Sequence, residues 1–140
     1  MGKPIVSDRL GRFEMILTTD FWESVINDER VNPLPDWSNV QSSIDRLDEK
    51  VHTLVALDDE NGSSLLIGGG QTRLIVALSR DQNHLLAREG NETVTVSVIV
   101  GGQYGDYRKR NLITPKKAKS IAKAYFLGND IFSIFQWDID

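Results

Sequence analysis

The tripeptide Gly-Gly-Gln occurs twice in this 140-residue chain, at 69–71 and again at 101–103. Each copy ends an apolar run and is followed by polar and basic residues. Glycines placed this way do chemistry when a helix follows at once, because backbone N–H groups and the helix dipole then converge on a phosphate. After the first copy comes "QTRLIVAL", which reads as a strand, with no Gly-Lys-Ser/Thr. The run "GGGQTR" also fails the GxGxxG spacing. Gly-Gly-Gln is the tripeptide of peptide-chain release factors too, but nothing else of those larger, multi-domain proteins is present. The glycines are therefore expected to serve the backbone, at tight turns, bulges and bends that need φ > 0 or close approach.

The remaining inventory for catalysis is thin. The only histidines are His52 and His84, far apart in sequence, and there is no cysteine nucleophile, no HExxH and no GxSxG. His52 falls in a strand pattern and His84 beside a turn, so both read as structural or surface residues. Asp58-Asp59-Glu60 resembles a metal loop, but Leu57 stands where the EF-hand pattern needs an acid or Asn. A hairpin tip with solvated charge is expected there. The segment "QYGDYRKRN" (103–111) packs two tyrosines and three bases together. Rings plus cations suit nucleic acid; tyrosines in a glycine-rich loop equally suit a protein partner. Lys116 and Lys117 open the second helix, where the dipole disfavours cations.

No enzyme, cofactor or metal is expected from this set. The leading reading is a protein-binding surface using Asp58, Asp59, Glu60, Gln103, Tyr104, Asp106 and Tyr107. A second is a nucleic-acid or anion-binding module built on Tyr104, Tyr107, Arg108, Lys109, Arg110 and the helix lysines from Lys116 to Lys123. A third is an enzyme needing a metal at the Asp58–Glu60 loop.

Charge bears on the choice. Net charge is −4, with 11 carboxylates and 3 bases in residues 20–60, whereas residues 101–140 are net basic. An acidic field repels nucleic acid and favours a basic partner. Composition is ordinary for a soluble globular protein, and no apolar stretch approaches the roughly 20 residues of a membrane span. The opening "MGKPIVSDRLGRF" lacks an apolar signal region, and cysteines are absent, so a cytoplasmic location is expected.

The elements that must position these residues read as β–α–(β meander)–α–β. "RFEMILTT" (12–19) is a first strand. In residues 20–37, Phe21, Trp22, Val25 and Ile26 have helical spacing, but Pro33 and Pro35 end any regular element. Asp36 is an N-cap for a helix whose stripe is Trp37, Val40, Ile44 and Leu47. "VHTLVAL" and "SSLLIGG" flank a turn at Asn61-Gly62, "TRLIVALS" is a third strand, and "HLLARE" a short fourth. "TVTVSVIV" (93–100) alternates and then runs apolar, as a central strand does. The second helix has Thr114 as N-cap, Pro115 at its first position and Gly128 past its end. Its buried stripe is Ala118, Ile121, Ala122, Tyr125 and Phe126. The tail "IFSIFQWDID" is expected to add a last strand. Together these specify one α+β domain over 1–140, a mostly antiparallel sheet with two main helices packed on one face.

The C-terminal third, "LITPKKAKSIAKAYFLGNDIFSIFQWD", resembles the end of immunity proteins from bacterial polymorphic-toxin and contact-dependent growth inhibition systems. Members of that family finish with a helix, a Phe, a Gly and a Trp near the end, which here are Ala122, Phe126, Gly128 and Trp137. The helix with "IDRL", the strands around "DDENG" and the glycine-ended strands resemble it more loosely. The family often carries a proline after the helix-ending glycine, where this chain has "NDIF". The resemblance implies a small cytoplasmic α+β antitoxin without catalysis. Such a protein binds the toxic C-terminal domain of a secreted or contact-delivered effector, often a nuclease or nucleic-acid-modifying toxin.

Overall fold

The computed structural model describes residues 15–140. Residues 12–14 of the expected first strand, and the opening segment, lie outside the described residues. In chain order the elements are β1 (Met15–Thr19), β2 (Trp22–Glu23), β3 (Ile26–Asn27), β4 (Arg30–Asn32), α1 (Trp37–Asp45), β5 (Leu54–Asp59), β6 (Ser64–Gly69), β7 (Leu74–Arg80), β8 (Asn83–Ala87), β9 (Thr95–Val100) and β10 (Gln103–Arg108). A 3-10 turn (Lys109–Asn111), α2 (Pro115–Phe126), α3 (Ile131–Ile134) and β11 (Trp137–Ile139) follow. Seven strands pair antiparallel in the order β11-β8-β7-β6-β5-β1-β4, while β2–β3 and β9–β10 form separate two-stranded ribbons. This is the expected α+β architecture.

Strand alternation decides which face each residue serves. Leu65, Ile67, Leu74, Val76 and Leu78 point to the helix side and join Val40, Ile44, Ile121 and Phe126 in the main core. Ile75 points the other way, into a smaller core with Val98 and Leu112, against which Leu86, Val96, Val100 and Tyr107 pack. Both faces of β7 are thus covered, which explains its continuous apolar run. The apolar run in β9 has a different cause from the one its sequence suggests. β9 is not a central strand; its valines cover the second face of the sheet from outside.

Both main helices start where their sequences direct, but α1 stops at Asp45, so Leu47 of its expected stripe joins the core from beyond the helix. Asp36 Oδ1 accepts from Asn39 N at 2.8 Å, and Asn39 Oδ1 accepts from Asp36 N at 3.0 Å, a reciprocal cap. Thr114 caps α2, Pro115 occupies its first turn, and Gly128 follows its end at φ +80°. All five expected stripe residues of α2 are buried. Residues 21–26, by contrast, form no helix. Ser24 takes φ +59°, Asp28 N donates to Phe21 O at 2.7 Å, and Asn27 Oδ1 accepts from Phe21 N at 3.0 Å. A tight reverse turn replaces the helical spacing. The tail forms α3 before its strand, and Trp137 Nε1 donates to Ile131 O at 2.9 Å.

The β7–β8 turn stores a correctable strain. Arg80 pairs with Asn83, so Asp81 and Gln82 form a two-residue hairpin loop, at φ +50° and +67°. Left-handed backbone costs a non-glycine residue about 1–2 kcal/mol, and Asp-Gly is a favoured pair for this turn. Gln82→Gly is therefore expected to gain about 0.5–1 kcal/mol after the entropy of the added glycine is subtracted. A thermal melt reads this as a rise of a few degrees; an unchanged or lower midpoint contradicts it.

Candidate binding surface

The site grows from one buried carboxylate. Asp20 follows β1 and is only 4% exposed. Its Oδ1 accepts from Thr53 N at 2.7 Å and Leu54 N at 2.9 Å. Its Oδ2 accepts from Trp22 Nε1 at 2.7 Å and from the Thr53 hydroxyl. His52 Nδ1 lies 3.1 Å from the Asp20 carbonyl oxygen, and its ring meets Phe21 edge-on. His52 thus makes structural contacts, although it stands before β5 and not in a strand.

Thr53 carries the network onward. Its Oγ1 accepts from Gly102 N at 2.8 Å. Gly102 also lies under the Trp22 indole, where a Cβ would stand 2.6 Å from Cε2. The β2–β3 ribbon and the β9–β10 turn are therefore fastened together at one end of the molecule. The turn itself pairs Val100 with Gln103 around Gly101 and Gly102, at φ +63° and +79°. That is a type I′ hairpin loop, and its glycines shape backbone. The first Gly-Gly-Gln serves similarly. Gly69 sits at φ +114°, with Arg73 O only 2.8 Å from where a Cβ would be.

This clamped end presents apolar side chains to solvent. Tyr104 is 79% exposed, Val25 86% and Ile26 68%. Tyr104, two residues beyond Gly102, points outward from the ribbon together with Asp106, which accepts from Ser97 Oγ at 2.7 Å. Tyr107 alternates inward and packs on the second core. Burial, aided by the charge of Asp140, raises its phenol pKa. Of the expected tyrosines, only Tyr104 is displayed. Val25 and Ile26 lie between Glu23, Asp28 and Glu29, all exposed. Their exposure is hidden in the sequence, where they look like part of a helical stripe.

The acidic tip is placed elsewhere. Asp58, Asp59 and Glu60 lie at the far end of β5, about 16 Å along the strand from Thr53. They are half-buried rather than projecting. Asp58 accepts from the Ser64 hydroxyl, and Asp59 Oδ1 accepts from Asn61 N and Ser63 N at 2.8 and 2.9 Å. These carboxylates build the turn, and they do not join Gln103 and Tyr104. Gly62 closes that loop at φ +80°.

Much of the 20–60 acidic excess is spent the same way. Asp48 accepts from Lys50, Val51 and His52 N–H groups. Burial raises its carboxyl, but those backbone bonds and the nearby His52 outweigh it and leave the pKa lowered. Glu49 Oε1 accepts from Ile99 N at 2.9 Å, and Asp45 pairs with Lys119. Among the described residues, the acids of the 20–30 segment that stay exposed near the clamped end are Glu23, Asp28 and Glu29, of which Asp28 pairs with Arg30 at 3.4 Å.

Three of the candidate cations are ion-paired. Lys109 pairs with Glu92 at 3.1 Å, and Arg110 with Asp138 at 2.9 Å. Arg108 shares the outward ribbon face with Tyr104, but Asp106 stands between them. On α2, Lys119 pairs with Asp45, and Lys123 and Lys117 lie over the rings of Trp37 and Phe135. Among the described residues, the ion-paired Lys109, Arg110 and Lys119 interrupt a basic stripe running from the ribbon to α2. Among the described residues no His, Asp and Glu side chains cluster as metal ligands would, and no helix is long and apolar enough to cross a membrane. Comparison with protein-family models, curated proteins and solved structures finds no match.

Proposed function

We propose that this chain is an immunity protein that neutralises a cognate toxin domain by binding it, with no catalysis of its own, in the cytoplasm of the cell that makes the toxin. One observation carries the binding surface: Tyr104, Val25 and Ile26 are exposed on two hairpins that Asp20, Trp22, Thr53 and Gly102 hold together. Exposed apolar side chains on an ordered backbone lose little entropy on association, and aromatic anchors dominate interface energies. Glu23, Asp28 and Glu29 around them complement a basic cleft, which a toxin acting on nucleic acid needs to hold phosphates. The immunity-protein resemblance of residues 112–138 supports the class.

The test is binding and protection with the toxin domain encoded beside this gene. Tyr104→Ala is expected to weaken binding on the order of 10- to 100-fold, mostly through faster dissociation, and Val25→Asp comparably. Reversing Glu23, Asp28 and Glu29 to lysine is expected to slow association most at low salt. Surface plasmon resonance across a salt series reads both. Tight binding indifferent to all these changes removes this surface. No binding, and no protection of cells expressing the toxin, removes the function.

A further inference from the structure

The opposite end of the sheet carries an open edge. Asp140 N donates to His84 O at 2.8 Å, and Gln136 O accepts from Arg88 N at 2.9 Å. By antiparallel alternation, Gln136, Asp138 and Asp140 face β8, so the backbone N–H and C=O groups of Trp137 and Ile139 face away from the sheet. They have no partner among the described residues. Natural edges are usually guarded by lysine, proline or a bulge. β11 is short, at three residues, but carries no lysine or proline. At the other edge of the sheet, β4 has Arg30 within it and Pro33 just after it.

Beside this edge lies an apolar groove of about 410 Å³, lined by Leu78, Leu85, Phe132 and Ile139, with Arg80 and Asn83 at its rim. Ile139 is 88% exposed and Phe132 55%. Both Trp137 and Ile139 are on the helix face, which is also the face of the groove.

We infer that a second copy of this chain pairs with β11, antiparallel and about a twofold axis, to give a sheet continuous across a dimer. The edge is complementary to itself. Trp137 of one copy falls opposite Ile139 of the other, so each exchanges N–H···O=C bonds with its counterpart and the exposed Ile139 is covered by an indole. Such an isologous contact closes on itself and makes no fibre. The charge at the axis itself is already paired. Asp138 falls opposite its own copy at the axis, but each Asp138 is bound by Arg110 at 2.9 Å and by Arg88 at 3.7 Å. A foreign acidic strand has no equivalent match, because these arginines are occupied. Only the Arg108 end of the β9–β10 ribbon approaches β11, through Arg110 and Asp138, whereas its Gly101–Gly102 turn is fastened beside β5, so dimerisation leaves Tyr104 and the β2–β3 ribbon open.

A three-residue strand gives a small interface, so the dimer belongs to the weak class. Sedimentation velocity of the full chain, from micromolar to near-millimolar, is expected to show mass rising from 15.7 kDa toward twice that value. Ile139→Lys changes an exposed side chain and is expected to raise the dimer dissociation constant about tenfold or more while leaving the melting midpoint in place. In wild type, hydrogen exchange at the Trp137 and Ile139 amides is expected to slow as concentration rises. A monomer at every concentration overturns the inference. So does a dimer that Ile139→Lys leaves intact with no concentration-dependent protection at those amides, since its contact is then on another face. Neither result bears on toxin binding, which is measured separately.

Discussion

Gly102→Val is expected to destabilise the protein by about 3–5 kcal/mol, two costs acting together. The first is backbone. Gly102 holds φ +79° in a two-residue turn, a conformation in which a β-branched residue is an outlier. The second is the indole. A Cβ at 102 would lie 2.6 Å from Trp22 Cε2 and 2.8 Å from Cη2, well inside the roughly 3.5–4.0 Å of carbon contact. Trp22 has no easy retreat, because its Nε1 donates to Asp20 and its backbone N donates to Val51 O at 2.8 Å. Moving the ring therefore breaks a bond to a buried carboxylate. Gly101→Val tests the backbone cost nearly alone. Gly101 has φ +63°, but its Cβ would meet only Leu54 Cδ2, at 3.7 Å. It is expected to cost about 1–2 kcal/mol. Gln71→Ala and Gln103→Ala remove exposed side chains and are expected to fall within about 0.5 kcal/mol of wild type. Urea unfolding followed by circular dichroism gives the ranking. Glutamine changes that unfold the protein while Gly102→Val is silent would mean that the tripeptide acts through its amide and not its backbone.

What the sequence reveals here is what is local. Thr114, Pro115 and Gly128 bracket α2 because caps and stops act within a turn of the residues that need them. Asp36 with Asn39 does the same for α1. The β5–β6 and β6–β7 hairpins are legible because short loops between apolar runs leave few alternatives. The misread segments are those whose partners are distant. The spacing of Phe21, Trp22, Val25 and Ile26 suggests a helix, yet Trp22 answers to Gly102, eighty residues on, and Phe21 to His52. β9 reads as central because an apolar run reports burial on both sides and not the strand's place in a sheet. Charge counts fail for a related reason. A carboxylate that caps backbone N–H groups, such as Asp48 or Asp59, looks in the sequence like one that meets a partner. Of the expected contact residues, Gln103 and Tyr104 lie at the clamped end, Asp106 faces outward further along β10, Tyr107 is turned inward, and Asp58–Glu60 stand at the other end of β5.

Asp20→Ala is expected to be nearly as damaging as Gly102→Val, at about 3–5 kcal/mol, because it leaves several donors facing a void. Thr53 N, Leu54 N, the Thr53 hydroxyl and Trp22 Nε1 all lose their acceptor. Trp22 and Leu54 are half-buried, so water can reach part of what is lost, whereas both Thr53 donors are buried. Asp20→Asn separates geometry from charge. Its amide oxygen can still accept from the two backbone N–H groups, but its NH₂ would confront the indole N–H of Trp22, which can only donate, and would force the Thr53 hydroxyl to accept and give up its own acceptor. A cost of about 1.5–3 kcal/mol is expected, the range for a lost bond to a charged group. Both Asp20→Asn and Gly102→Val act by releasing the same indole, so their effects cannot add. Once Trp22 has been displaced by a valine at 102, the Trp22 share of the Asp20 network is already gone. The double variant is expected to fall short of the sum of the single changes by about 1–2 kcal/mol, a coupling typical of residues sharing one partner. The same release has a functional reading. Loosening the hairpins takes away the order that Tyr104, Val25 and Ile26 depend on, so Asp20→Asn is expected to weaken binding of the proposed toxin partner although its side chain is buried. Strict additivity in unfolding would show that Asp20 and Gly102 stabilise separate parts of the fold. Wild-type affinity in a folded Asp20→Asn protein would show that the clamp serves stability alone.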